Sequence, residues 1–327
     1  MPSKVSVIVP IYNASKYLSE TLDSLVNQTL QDIEIICIND GSTDNSESIL
    51  NEYKRNYPEK IVVYTKLNRG IAHTRNFGLS KVTSEFFGFV DSDDTVELNM
   101  FETLYNKAME SSSELVISDF YWSYPDKENI VKDGPYLTNK EILTTMFATL
   151  WNKLYKTSFI KELNIDFPEG YRYEDASFLY KMIPYLKKWA YVNMPFVHYR
   201  QTTGSITHNH NDRVKDMIYV FKNLFDFYHQ RNLFNEYKME LEYLFIRFFL
   251  GNSFLRTCQI KDKSDRNITL NLSYKILHEN FPDWKNNEYI NQPGLRNKYF
   301  KTITPLTYKV YAFLFHIIFK FKKEGLH

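Results

Sequence analysis

The chain has 327 residues, 43% of them hydrophobic and 24% charged, with a formal net charge of +1. This ordinary globular composition excludes a disordered chain, and the near-neutral balance gives no electrostatic case for a nucleic-acid partner. Its two cysteines, Cys37 and Cys258, lie in apolar and helical sequence. They predict buried thiols in a reducing compartment, with no disulfide framework.

Met1-Pro2-Ser3-Lys4 leads directly into the apolar run at residues 5–9. Pro10 ends that run too early for a signal-peptide core, and no stretch offers the ~20 apolar residues that span a bilayer. A soluble or peripheral protein is expected. Apolar, β-branched runs recur at residues 33–38, 61–64, 86–90 and 115–118 and predict strands. Between the first two runs, Ala14, Leu18, Leu22, Leu25 and Val26 keep helical spacing. Leu98, Phe101, Leu104, Tyr105 and Ala108 do the same before the last. Alternating β and α segments predict an α/β fold, a mostly parallel sheet flanked by helices.

Polar sequence follows each run, where such sheets place their ligand crevice. After the first, Pro10, Tyr12 and Asn13 offer a rigid wall for a planar base, or simply a strand-to-helix connection. After the second comes Asn39-Asp40-Gly41-Ser42-Thr43-Asp44-Asn45-Ser46. Gly41 permits a sharp turn, and the Ser, Thr and Asp residues are good helix caps. Capping leaves Asp40 unexplained; a nucleotide reading gives it a base N–H to accept. Next, Asn68 and Gly70 precede a short helix carrying Arg75 and ending near Gly78. An arginine there is suited to phosphate recognition or to bracing a carboxylate, or is an ordinary surface residue.

Asp91-Ser92-Asp93-Asp94 closes the fourth run and is the most informative stretch. Asp91 and Asp93 leave extended backbone on the same side. Two hard oxygen ligands there can hold Mg²⁺ or Mn²⁺ and leave positions free for a diphosphate. A polar turn is the alternative. Further on, Glu174-Asp175 opens a helix, where adjacent side chains diverge by ~100°, so only one carboxylate can face a given site. His208 and His210 form a His-x-His that could approach a metal or phosphate, although two histidines in a polar loop are more often incidental.

Tyr and Phe, 25 of each, are densest after residue 210 and mark a second, helical region. In its last segment, residues 308–323, Lys309, His316, Lys320 and Lys323 share one helical face and nearly everything else is apolar. This helix is too short for the ~30 Å hydrocarbon core but suits lying in an anionic membrane surface. The alternatives are docking on the protein's own core or in a homodimer interface.

Together these motifs resemble the family 2 glycosyltransferases of the GT-A fold, which build bacterial surface polysaccharides such as capsule and exopolysaccharide. The resemblance runs from residue 5 to about residue 205. It rests on the opening strand through Asn13, Asp40-Gly41-Ser42-Thr43-Asp44, Arg75-Asn76-Phe77-Gly78, Asp91-Ser92-Asp93 and Glu174-Asp175. Trp151-Asn152-Lys153-Leu154-Tyr155 and Tyr199-Arg200…Gly204-Ser205-Ile206 resemble elements of the polysaccharide-assembly branch. Asn39 stands where many members have a second Asp, and Thr74 where Ala is usual. The glutamine-arginine-tryptophan motif and transmembrane helices of processive synthases are missing, which implies a single transfer per acceptor.

The resemblance implies a Rossmann-like GT-A catalytic domain over residues 1–211, then a helical region over 212–327. It implies an inverting transfer from a nucleoside diphosphate sugar, UDP-hexose or UDP-N-acetylhexosamine. The basic-apolar C-terminal helix suggests that the acceptor is a hydroxyl of a lipid-linked oligosaccharide at the cytoplasmic face of a bacterial membrane. On this reading Asp93, with Asp91, holds Mn²⁺ or Mg²⁺. Pro10, Tyr12, Asn13, Asp40, Asn68, Arg75, Asp91, Lys153 and Arg200 bind the donor. Asp175 is the general base, Glu174 positions it or contacts the acceptor, and Asp94 completes the turn. One competing reading is a sugar nucleotidyltransferase, which needs a Gly-rich basic loop where Pro10-Ile11-Tyr12-Asn13 stands. The other is an inactive, membrane-associated assembly partner, against which the intact acidic residues argue.

Overall fold

The apolar runs become strands of one sheet in a computed structural model that describes residues 3–201 and 212–324; His208 and His210 lie outside the described residues. The strands are β1 (Val5–Ile11), β2 (Ile33–Asn39), β3 (Ile61–Thr65), β4 (Phe86–Phe89), β5 (Thr95–Val96), β6 (Leu115–Ser123), β7 (Glu128–Val131), β8 (Lys153–Lys156) and β9 (Trp189–Arg200). Their order is β3-β2-β1-β4-β8-β6-β9-β5, with β7 paired to β6. All seven residues of β1 are buried. β2 and β4 flank it in parallel, and helices cover the sheet, so no polar-apolar alternation is needed.

Past β4 the sheet becomes mixed. The Lys153-Leu154-Tyr155 segment, not legible as a strand in sequence, enters as β8, antiparallel to both β4 and β6. β6 then pairs in parallel with β9.

Helices α1 (Leu18–Val26), α2 (Ser46–Asn56), α3 (Ile71–Lys81), α4 (Met100–Ser111), α5 (Asn139–Thr145), α6 (Thr157–Leu163) and α7 (Glu174–Met182) connect these strands. In α1 the apolar stripe Leu18, Leu22, Leu25 and Val26 is buried, as helical spacing demands. α3 lies unusually close to the sheet. A Cβ on Gly78 would sit 2.6 Å from Ile8 Cγ2 and 2.8 Å from Ile38 Cδ1, so only glycine permits this approach.

The described residues divide into two compact units. The first holds the sheet: the chain up to Asn139, Met146–Gly170, and Glu174 through β9. The second takes Lys140–Thr145, Tyr171–Tyr173 and the C-terminal helices. These are α8 (Asp216–Gln230), α9 (Phe234–Arg247), α10 (Ser253–Thr257), α11 (Lys263–Asn280), α12 (Glu288–Asn291), α13 (Leu295–Thr302) and α14 (Pro305–Glu324). A π-helical stretch, Phe248–Asn252, joins α9 to α10.

Aromatic rings organise this second core. Phe245 meets Phe221 and Phe281 edge to face, each with ring centroids 5.1 Å apart. Cys258 and, in the sheet, Cys37 are buried free thiols, and burial pushes both up to about 12. No described helix is long and apolar enough to cross a membrane.

Candidate active site

The turns after β1 and β2 are built as one piece. Asn13, in the left-handed region at φ 50°, accepts a hydrogen bond from the Thr43 amide at 2.8 Å. In return the Asn13 and Ala14 amides donate to Ser42 Oγ and Ser46 Oγ. Burial works against the charge of Asp44, yet donors from Ser46 and Ser15 outweigh it and hold that carboxyl down at about 2. Pro10 is buried within β1, whereas the Tyr12 ring is 53% exposed.

Asp40 is buried and already heavily engaged. Its Oδ1 accepts the Arg69 amide at 2.9 Å and the Lys66 ammonium, and its Oδ2 accepts the Gly70 amide at 2.9 Å. A single carboxylate thus fixes the loop that opens α3, at the end where a helix favours negative charge. Gly41 makes the approach possible: its φ is 68°, and a Cβ there would lie 2.9 Å from the Asn68 amide nitrogen. The Asn68 side chain is exposed beside it.

From α3, Arg75 reaches two carboxylates far apart in sequence. Its Nη2 lies 3.0 Å from Asp91 Oδ1, just past β4, and its Nη1 pairs with Glu174 Oε1 at the start of α7. Arg75 and Glu174 are both buried. Burial pushes the Glu174 carboxyl up to about 7; Arg75 opposes that rise and Asp175 adds to it. The half-buried Asp175 accepts the Ala176 amide at 2.8 Å. Asn76, next to Arg75, exchanges two 2.9 Å hydrogen bonds with the Phe167 backbone. This holds the Phe167 ring 5.9 Å from the guanidinium. Sequence reading quoted Asn76 in a motif but gave it no task.

Asp93 is pushed up to about 6, first by burial and then by the charge of Asp91. Two half-buried carboxylates side by side at a strand end suit a divalent cation, and hard oxygen donors fit Mg²⁺ or Mn²⁺. Among the described residues no group of three or more such side chains could hold a metal ion.

Asp94 does more than complete the turn. It is fully buried, its Oδ1 accepts the Arg200 amide at 2.8 Å, and burial raises its carboxyl well above the usual range. The Arg200 side chain donates to the Asp93 carbonyl at 2.9 Å, pairs with Glu20 at 2.6 Å and stacks 4.4 Å from the Tyr17 ring centroid. Arg200 thus fastens the acidic turn to β9 and α1, and these partners account for its reach.

Lys153, expected at the donor, lies on β8. It is fully buried, and its ammonium donates to Asp133 Oδ2 at 3.0 Å, Asn152 Oδ1 at 2.8 Å and the Thr149 carbonyl at 2.9 Å. A buried ammonium needs such partners, so the residue braces β8 from inside the fold.

Residues 6–167 match the model of the family described as Glycosyl transferase family 2. The glycosyltransferase GlyG of Streptococcus pneumoniae serotype 4 is 32% identical over 245 residues, which span 68% of this chain and 79% of GlyG. The chain belongs to glycosyltransferase family 2. A second relative of this family 2 glycosyltransferase is GlyA from the same organism, 33% identical over 222 residues. That match covers 62% of this chain and 31% of GlyA, so the chain spans less than a third of that relative's length. Among solved structures, S. aureus TarS 1-349 in complex with UDP matches with a TM-score of 0.64 at 19% identity. It covers 88% of this chain and 92% of that one, a likeness of fold, the GT-A fold.

Proposed function

We propose that this glycosyltransferase moves one sugar per encounter from UDP-hexose or UDP-N-acetylhexosamine to a hydroxyl of a lipid-linked oligosaccharide. The transfer inverts the anomeric centre and serves bacterial surface polysaccharide assembly at the cytoplasmic membrane face. Residues 1–211 form the catalytic domain and 212–327 a helical appendage. One observation carries the reading: the Arg75 guanidinium ties Asp91 at the end of β4 to Glu174 at the start of α7. That clamp supports a site that joins the turn after β4 to the start of α7, where Asp93 and Asp175 lie beside the clamped residues in sequence. UDP bound to TarS, a protein of like fold, supports a uridine donor.

Each residue then has a task. The exposed Tyr12 ring, with Asn13, Asn68 and the remaining accepting capacity of Asp40, lines the nucleoside. A divalent cation, Mn²⁺ or Mg²⁺, held by Asp93 and Asp91 supplies the positive charge that the departing diphosphate requires. Asp175 takes the proton from the acceptor hydroxyl as that oxygen attacks from the face opposite the leaving group. Glu174 and Arg75 act through Asp175 and Asp91, holding both in place.

A donor panel tests this. The purified chain with Mn²⁺ is offered UDP, GDP and dTDP sugars, and nucleoside diphosphate release is followed with and without lipid-linked acceptors. Turnover of a UDP sugar, with product NMR showing inversion, is the expected result. Pyrophosphate release from a sugar phosphate and a nucleoside triphosphate, or inertness toward every donor, defeats the proposal.

A further inference from the structure

α14 has two apolar faces, and its own unit covers only one. Tyr308 and Ala312 are buried, and Tyr308 packs against Phe254 and Tyr274 with centroids 4.9 Å away in each case. His316, expected on the basic stripe, instead sits on this docked side, its Nδ1 2.8 Å from the Cys258 carbonyl oxygen. Leu306, Val310, Phe313, Leu314 and Phe321 follow at i, i+4, i+7, i+8 and i+15, which gathers them on the other side. They are open to solvent: Leu306 is 73% exposed, Phe313 64% and Phe321 66%. Single exposed apolar residues are ordinary, but a continuous stripe of this size marks a surface made for contact.

Charge selects the occupant. Lys309 and Lys320 are exposed, and helical spacing places them along one border of the apolar stripe. Lys322 and Lys323 follow in the sequence, and the helix carries a single acidic residue, Glu324, at its end. A two-fold partner copy would bring a second set of the same lysines to the interface and no acidic border to meet them, because such an interface presents the same patch from both sides. Anionic lipid headgroups satisfy them, while the stripe enters the acyl boundary.

We propose that α14 is an interfacial helix, docked on its own unit through Tyr308 and Ala312. It inserts Leu306, Val310, Phe313, Leu314 and Phe321 into an anionic membrane surface. The inference stands apart from the donor chemistry, and its readout needs no activity. The full chain is floated with phosphatidylcholine vesicles, with and without about one-third phosphatidylglycerol, while light scattering follows its oligomeric state.

Binding to the anionic vesicles, at least about tenfold tighter than to neutral ones and weakened by salt, is expected. Phe313→Ser with Phe321→Ser should weaken it about tenfold or more. Lys309→Glu with Lys320→Glu should weaken binding to anionic vesicles about fivefold or more per lysine, with little change on neutral ones. All four positions are exposed, so the far-ultraviolet circular dichroism should be unchanged. The proposal fails if the chain ignores anionic vesicles, or if neither pair of substitutions changes binding. It also fails if the chain is a dimer that the Phe313→Ser, Phe321→Ser pair splits.

Discussion

The two units are held together by different physics. In the sheet unit the decisive contacts are buried charges: Arg75 between Asp91 and Glu174, and Lys153 against Asp133, both fully buried. In the helical unit they are rings, with Phe245 touching Phe221, Phe249 and Phe281 at centroid separations of 5.1–5.3 Å. Ionic contacts demand particular atoms at particular places, whereas apolar packing asks mainly for volume. Chemistry therefore concentrates where side chains are fixed atom by atom.

The largest test of this contrast is Lys153→Met. It leaves Asp133 buried without its cation and should destabilise the sheet unit by about 3–5 kcal/mol in denaturant unfolding, an effect largely relieved when Asp133→Leu is added. Asp175→Asn comes next: turnover should fall ~100-fold or more while calorimetric UDP affinity with Mn²⁺ stays near that of the parent. Full transferase activity in that variant would remove Asp175 from the role of base. In the helical unit, Phe245→Leu keeps most of the apolar volume and should cost under about 1.5 kcal/mol. A loss equal to that of Lys153→Met would erase the contrast.

The smallest effect is electrostatic. Asp44 is lowered from 3.8 to about 2, so its contribution is present above pH 3.8 and is lost as the pH falls toward 2. Asp44→Asn should flatten the acid limb of the melting temperature in that window alone.

Much of the sheet unit was legible in sequence, and the reason is local. Strands buried on both faces need unbroken apolar runs, so residues 5–9 and 86–90 announced β1 and β4, and the polar residues after them, Asn13 and Asp91, marked the loops where a site was sought. What stayed hidden was pairing. Asp133 lies 20 residues before Lys153, Glu174 lies 99 after Arg75, and Glu20 lies 180 before Arg200. No periodicity in one chain encodes such separations, so the bracing contacts of Lys153 and Arg200 could not be read from sequence. Similarly, the spacing of α14 revealed a basic edge, but only packing shows that His316 turns toward Cys258.

The grip of Asp40 on the start of α3 has an entropic consequence. The Lys66 ammonium and the Arg69 and Gly70 amides are gathered by one carboxylate. Ordering a backbone residue costs about 1–2 kcal/mol, and for this loop that cost is met during folding. On the proposed reading a nucleotide meeting this loop would find it already assembled, so its binding free energy need not be spent on that ordering.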